Sequence, residues 1–284
     1  MRTAARRILE HPHASRRQRV VMIATTRVQA RLPIICTTAA IAASALGAGI
    51  WMFRDDLAEI LEPSAEPHYY LWAWRRAEDL SFIDPARVKV ALWTGTIFVG
   101  DDDFHVEHRL NPITYPTQAE IVGVVRLEAT GVPDDGIVAP LADAIIAASR
   151  PFRPVEHQVD FDARLSQRDF YRRLLDALRV RTGEAKLSIT ALASWCFYDD
   201  WVRALPVDAV VPMIYRMGPE GDAIRHTLYT EREFPAPVCA GNIGYSADEP
   251  LAPVDGLRRV FLFHPKPWTE HSFRAMIEKV ENLP

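Results

Sequence analysis

Two aspartates spaced two residues apart, Asp160 and Asp162, are the most suggestive chemical pattern in this sequence. They lie in a strand-like stretch, residues 155–163, where alternate side chains face the same side. The two carboxylates therefore point one way, while Val159 and Phe161 point the other. Bringing two carboxylates together is costly unless they are solvated, paired or used in chemistry. The pattern predicts a catalytic acid pair, with a helix cap or an arginine-bound ion pair as the structural alternative.

The elements that must position this pair alternate between strand-like and helix-like runs. The predicted strands are residues 68–74, 88–99, 120–128, 155–163, 186–195, 208–215, 237–240 and 258–264, with a hairpin strand at 104–108. Such alternation implies a parallel sheet, and the apolar strands imply that both faces are covered. We expect an α/β fold, a (β/α)8 TIM-like barrel over residues 67–284. A doubly wound open sheet is the competing prediction, but the first turn, residues 75–78, lacks the glycines typical of that fold.

In such a barrel the carboxyl ends of the strands form the active face, and here they are rich in aromatic and polar residues. Flat indoles stack on the apolar faces of sugars, while carboxylates and arginines bind the hydroxyl edges. For each tryptophan, packing inside the fold is the structural alternative. The predicted substrate-binding residues are Trp72, Trp74, Arg126, Glu128, Trp195, Tyr215, Arg216 and His264.

The amino-terminal residues differ from the rest of the chain. Residues 1–31 contain eight arginines and one acid, and the next 22 residues, 32–53, carry no charge. An uncharged run of this length can cross a bilayer as a helix, and the preceding arginines favour a cytoplasmic amino terminus. The sequence thus predicts a single-pass anchor in a bacterial inner membrane, a linker at 54–66 and a barrel in the periplasm. A cleaved export signal and a buried core helix are the alternatives.

Composition narrows the classes of partner and cofactor. The net charge of −4 leaves no large basic field for nucleic acid, so no nucleic-acid partner is expected. Of the three cysteines, Cys196 and Cys239 could pair in an oxidising periplasm, but their predicted places on non-adjacent strands favour two free buried thiols. Cysteine and histidine spacings predict no metal site, and we expect no cofactor.

Three stretches in the predicted barrel together resemble a bacterial domain family of unknown function, which is itself distantly similar to the chitinase-like glycoside hydrolase barrels. They are residues 158–164, 187–195 and 211–218, and the resemblance extends over most of the predicted barrel. Chitinases carry an Asp-x-Asp-x-Glu pattern at the fourth strand, whose Glu is the general acid. Asp160 and Asp162 match the two aspartates, and Met213 and Tyr215 match residues that line the sugar site.

Arg164 stands at the position of the chitinase glutamate, and a guanidinium cannot donate a proton at neutral pH. The resemblance thus implies a glycoside hydrolase-like barrel without the family's usual acid. Two placements of Arg164 are open: it neutralises Asp160, or it begins the following helix and faces solvent.

The leading hypothesis is a glycoside hydrolase acting on an oligosaccharide or a cell-envelope polysaccharide. Asp162 is the expected general acid, its pKa raised by Asp160, with Glu128, Asp199 or Asp248 as the second carboxylate. The alternative is a carbohydrate-binding barrel without catalysis, which the arginine at position 164 favours. A third reading is a phosphate-dependent barrel enzyme whose loop at residues 241–244 binds phosphate through backbone amides.

Overall fold

The computed structural model describes residues 67–199 and 201–284. The predicted basic segment (1–31), membrane segment (32–53) and linker (54–66) lie outside these residues. None of the helices in the described part of the chain combines the length and the apolar character that a membrane crossing requires.

Eight parallel strands close into a barrel, which confirms the α/β barrel and excludes the open sheet. The closure is direct, because β1 pairs in parallel with both β3 and β11. The barrel strands are β1 (His68–Ala73), β3 (Val88–Val99), β6 (Ile121–Ala129), β7 (Glu156–Asp160), β8 (Lys186–Leu192), β9 (Ala209–Met213), β10 (Asn242–Ser246) and β11 (Arg259–Phe263). The hairpin strand β4 (Phe104–His108) extends the sheet antiparallel to β3, and β2 (Glu78–Asp79) pairs with β5 (Ile113–Thr114).

Within the described residues, five α-helices follow the strands: α1 (Val138–Ser149), α2 (Arg168–Thr182), α3 (Ala193–Phe197), α4 (Gly221–Glu231) and α5 (Glu270–Glu281). The four-residue spacing of Phe170, Leu174 and Leu178 predicted the buried stripe of α2, and all three side chains are buried. Apolar residues on the outer faces of the strands pack against these helices and form the larger core.

Three predicted strand boundaries are wrong. The strand that carries the acid pair, predicted to reach residue 163, ends at Asp160, so Asp162 lies beyond it. The run at 237–240 is a single 3-10 turn, Pro237–Cys239, and the seventh barrel strand, β10, begins only at Asn242. Between them Gly241 has φ 75°, a left-handed conformation that glycine adopts at little cost. The predicted fifth strand likewise ends early, because α3 begins at Ala193.

The prediction of two free thiols is also wrong, because Cys196 and Cys239 form a disulfide. Cys196 lies on the short helix α3 and Cys239 in the turn before β10, so neither is in a strand. Both lie beyond the sheet, where the loops of the barrel can meet, and their Cα atoms are 6.1 Å apart.

The barrel interior is filled by aromatic and polar side chains. Near the amino-terminal end of the strands, Arg259 forms a bidentate ion pair with Glu156 at 2.6 and 2.7 Å. Above this pair, the Trp72 indole donates to Gln158 at 3.1 Å. Gly244 makes room for that indole, since a Cβ at this position would lie 2.9 Å from an atom of the Trp72 ring. The barrel is therefore closed below, and Trp72 forms part of the floor of the cavity described next.

Candidate functional site

A cavity of about 450 Å³ opens at the carboxyl ends of the barrel strands. This is the face on which barrel enzymes hold their active sites. Seven of the ten predicted site residues line it: Trp72, Trp74, Arg126, Asp160, Asp162, Tyr215 and Arg216. Most of the residues predicted from the strand ends therefore line one cavity.

Asp160 is the buried member of the acid pair, with 4% of its surface exposed. One of its oxygens accepts a hydrogen bond from Arg126 at 2.9 Å, and the other accepts from the Thr190 hydroxyl at 2.7 Å. Arg126 stands directly beside it, because strands β6 and β7 pair these two residues in register. Asp160 is thus fixed by a cation and a hydroxyl on its two neighbouring strands.

Asp162 is held more loosely and reaches further into solvent. Its side chain is 43% exposed and lies 3.6 Å from an Arg126 nitrogen. Desolvation by the surrounding protein and the nearby Asp160 carboxylate raise the pKa of Asp162, while Arg126 opposes them. A carboxyl group with a raised pKa, open to a cavity, can hold a proton and deliver it to a bound molecule.

Arg126 is the shared cation of the site. Besides the two aspartates it contacts Glu128, with 3.2 Å between Nε and a carboxylate oxygen. Desolvation disfavours its charge, but Asp160 and the other carboxylates outweigh this effect and raise the pKa of Arg126. It therefore stays charged at any pH at which the protein is folded.

Arg164 takes the second of its two predicted placements. Its backbone N–H donates to the Gln167 side chain at 2.9 Å, at the start of the 3-10 turn Leu165–Gln167. Its exposed guanidinium donates to the Thr130 carbonyl at 3.3 Å. Arg126 neutralises Asp160 instead.

One wall of the cavity is aromatic. The rings of Tyr215 and Phe263 stack with centroids 5.8 Å apart, and Trp72 meets Tyr215 edge-on at 6.2 Å. Burial, and then the Asp160 carboxylate, raise the pKa of Tyr215. Its hydroxyl therefore stays protonated, and it donates to the Met213 sulfur at 3.4 Å.

Arg216 projects from this wall in an unusual backbone conformation. Its φ of 50° lies in the left-handed region that non-glycine residues rarely adopt. The Glu249 carboxylate holds it there by accepting the Arg216 backbone N–H at 3.0 and 3.1 Å. The guanidinium lies 5.4 Å from the centre of the Phe263 ring and 3.2 Å from Asp248. Local strain of this kind is typical of functional sites.

Glu220 lines the same cavity and was missed by sequence reasoning. It ends the 3-10 turn Gly218–Glu220 that leads into α4, and it is exposed. Within residues 67–199 and 201–284 no hydrogen bond or ion pair engages its carboxylate. Glu220 lies between the sixth barrel strand and the next helix, and this position in the sequence could have indicated that it belongs to the site.

Three predicted site residues do not line the cavity: Trp195, His264 and Glu128, of which the first two pack elsewhere. Trp195 is on α3 rather than at a strand end, and it is buried edge-on against Trp201 with centroids 4.8 Å apart. His264 accepts the backbone N–H of Lys266 at 3.1 Å and contacts the Trp268 ring. Both are packing residues that support the loops around the site.

The three carboxylates predicted as partners of Asp162 are all engaged elsewhere. Glu128 borders an adjoining groove and contacts Arg126. Asp199 pairs with Arg168, and Asp248 pairs with Arg216 and accepts from a serine hydroxyl. None of them lines the cavity itself.

The segment predicted as a phosphate-binding nest is largely a strand. Residues 242–246 are β10, and Gly244 packs against Trp72 inside the barrel. No three histidine, cysteine or acidic side chains of the described residues lie together as metal ligands.

Fold and site together define an α/β barrel with a carboxylate-bearing, aromatic-walled cavity at its mouth. Comparison with protein-family models, with curated proteins and with solved structures finds no match to this chain. Function must therefore be argued from the chemistry of the cavity.

Proposed function

We propose that this barrel is a glycoside hydrolase acting on an oligosaccharide or a cell-envelope polysaccharide, with Asp162 as its general acid. The observation that carries the proposal is the contrast within the acid pair. Asp160 is buried and bonded to Arg126 and Thr190, whereas Asp162 faces the cavity with a raised pKa. Two carboxylates with different environments are what acid-assisted cleavage of a glycosidic bond uses.

Glu220 is the best candidate for the second reacting carboxylate. Glycoside hydrolysis normally needs one group that protonates the leaving oxygen and another that acts as base or nucleophile. Glu220 lines the same cavity as Asp162, and its carboxylate is not engaged by any other described residue. The roles of Glu128, Asp199 and Asp248 in ion pairs make them poorer candidates.

The walls of the cavity suit a sugar ring. Trp72, Tyr215 and Phe263 provide flat apolar surfaces for its CH faces. The Arg216 guanidinium provides donors for its oxygens, and the Tyr215 hydroxyl oxygen can accept from its hydroxyls. The match of Asp160, Asp162, Met213 and Tyr215 to positions of the chitinase pattern is in keeping with the same substrate class.

An exported, membrane-tethered location fits this activity. The disulfide between Cys196 and Cys239 is of a kind that persists in oxidising compartments such as the periplasm. The basic run at 1–31 and the uncharged run at 32–53 would anchor the chain in the inner membrane and direct the barrel outward.

A carbohydrate-binding barrel without catalysis is the second candidate, and one observation favours it. Arg164, at the position of the chitinase acid, begins the turn Leu165–Gln167 and makes no ion pair with either aspartate among the described residues. In that case the cavity would bind glycans without cleaving them.

The test is an assay of the purified protein and its Asp162→Asn variant on a panel of oligosaccharides and envelope polysaccharides. We expect the variant to lose about 10²–10⁴-fold in rate, the usual contribution of a general acid. Since Asp162 must be protonated to act, kcat/KM of the wild type should fall as pH rises through its raised pKa. Asp143→Asn, which removes an exposed carboxylate paired with Arg181 on the outer helices, is the matched control.

Two results would contradict the hydrolase. Full activity in the Asp162→Asn variant would remove the assigned acid. Saturable glycan binding with no turnover by the wild type would establish the binding barrel instead.

A further inference from the structure

A groove of about 690 Å³ continues from the cavity across the barrel mouth. It runs between the β3–β4 hairpin, the end of β6 and the residues that follow β7. Arg126 and Asp162 line both spaces, so the groove begins where the acid pair ends. A chain molecule bound in the cavity could extend along it without leaving the protein surface.

Phe98 provides a flat apolar surface in this groove. It lies near the end of β3, in register with His105 on β4 and Glu128 on β6. Although it is a large aromatic residue in a barrel strand, 38% of it is exposed. An exposed ring beside a carboxylate-bearing cavity is the arrangement by which proteins stack a sugar.

Polar groups around Phe98 could bind the hydroxyls of such a sugar. Arg164 and His105 both line the groove, and both are exposed. Among the described residues, the Arg164 guanidinium donates one hydrogen bond, to the Thr130 carbonyl through one of its three nitrogens, which leaves other N–H groups available for a ligand. This gives the residue at the chitinase glutamate position a role in binding rather than in proton transfer.

We propose that the groove is a second sugar-binding subsite, in which Phe98 stacks on a ring of the same oligosaccharide whose glycosidic bond lies at Asp162. The inference rests on the proposed function and adds a substrate class to it: chains of several sugars rather than disaccharides. Short substrates fill only the cavity, whereas longer ones gain the contact with Phe98.

The experiment compares kcat/KM for oligosaccharides of two to eight units, prepared from whichever polysaccharide of the panel is cleaved. We expect Phe98→Leu, which stays apolar but loses the flat ring, to lose about fivefold on long chains, which corresponds to roughly 1 kcal/mol of stacking. On disaccharides it should match the wild type. Phe98→Trp should retain the preference for long chains, and Tyr198→Ala, which removes an exposed aromatic residue outside the cavity and groove, should change neither rate.

The outcomes separate the subsite from the hydrolase. Equal rates of Phe98→Leu and wild type at every chain length, or equal losses at every length, would overturn the subsite and leave the hydrolase standing. If no glycan is cleaved, the hydrolase fails, and calorimetric titration of the wild type and Phe98→Leu with oligosaccharides of two to eight units, prepared chemically from each polysaccharide of the panel, decides the subsite alone. Weaker binding of long chains only would support it, and unchanged binding, or no binding, would overturn it.

Discussion

Replacing Arg126 by methionine should destabilise the barrel mouth in a pH-dependent way. The guanidinium is the cation beside Asp160, whose side chain is only 6% exposed, and Arg126 itself is 30% exposed. Removing one partner of a buried pair typically costs roughly 3–5 kcal/mol, because a buried charge is left without compensation. Partial exposure of Arg126 places the expected cost at the low end, about 3 kcal/mol at pH 7. The stranded carboxylate can escape by taking up a proton, so the cost should shrink at low pH.

The assay is urea unfolding followed by far-UV circular dichroism at pH 7 and pH 4. A loss of 3 kcal/mol corresponds to a fall of roughly 1–2 M in the unfolding midpoint. The double variant Arg126→Met/Asp160→Asn should recover most of this loss, because the amide carries no charge and still accepts from Thr190. Glu128→Gln, which removes the exposed partner of Arg126, should cost less than about 1 kcal/mol. A double variant as unstable as the single one would show that the stranded charge is not the cause.

Two further predictions concern the support of the site. Gly244→Ala should lower the free energy of unfolding by about 1–3 kcal/mol and alter tryptophan fluorescence, because the new methyl group would lie 2.9 Å from the Trp72 ring. The control Gly136→Ala, whose methyl group would lie in open space, should change neither. If Gly244→Ala leaves both measurements unchanged, the close packing is refuted. Replacing Cys196 and Cys239 by alanine should cost up to about 4 kcal/mol, the loop-closure value for their 43-residue separation. Dithiothreitol should lower the urea midpoint of the wild type and leave that of the double variant unchanged, and equal responses of the two would count against the disulfide.

The barrel could be predicted from the sequence because its strands and helices alternate strongly. The acids could be predicted at the barrel mouth because they come at the end of an apolar strand, although strand parity does not set the direction of Asp162, which lies past that end. Short apolar runs were harder: residues 237–240 resemble a strand, yet Pro237 begins a 3-10 turn and the strand starts after Gly241. Periodicity cannot separate a four-residue strand from one turn of helix. For the same reason the predicted strand corresponding to β8 ran on to Trp195, and that residue was wrongly predicted to lie at the barrel mouth.

The remaining misses depend on contacts between residues far apart in the chain. The disulfide joins two loops that meet only once the barrel is closed, so the spacing of the cysteines carried no sign of it. Glu220 is a lone acid at a helix start, and only the folded loop brings it to the cavity of Asp162. The position of a loop depends on the strands and helices that it connects, and sequence patterns predict those elements better than they predict the loops.

The site owes its asymmetry to one register. Because β6 and β7 pair Arg126 with Asp160, the guanidinium lies closest to the inner carboxylate, and Thr190 occupies that group's other oxygen. Asp162 is two residues further along, past the end of the strand, and receives only the longer contact of 3.6 Å. The same side chain therefore has two different environments: Asp160 is a fixed carboxylate, and Asp162 is a carboxyl group that can be protonated. If Asp162 is the acid, losing Arg126 should also move the alkaline limb of the pH profile upward, since the cation that lowers the pKa of Asp162 is gone.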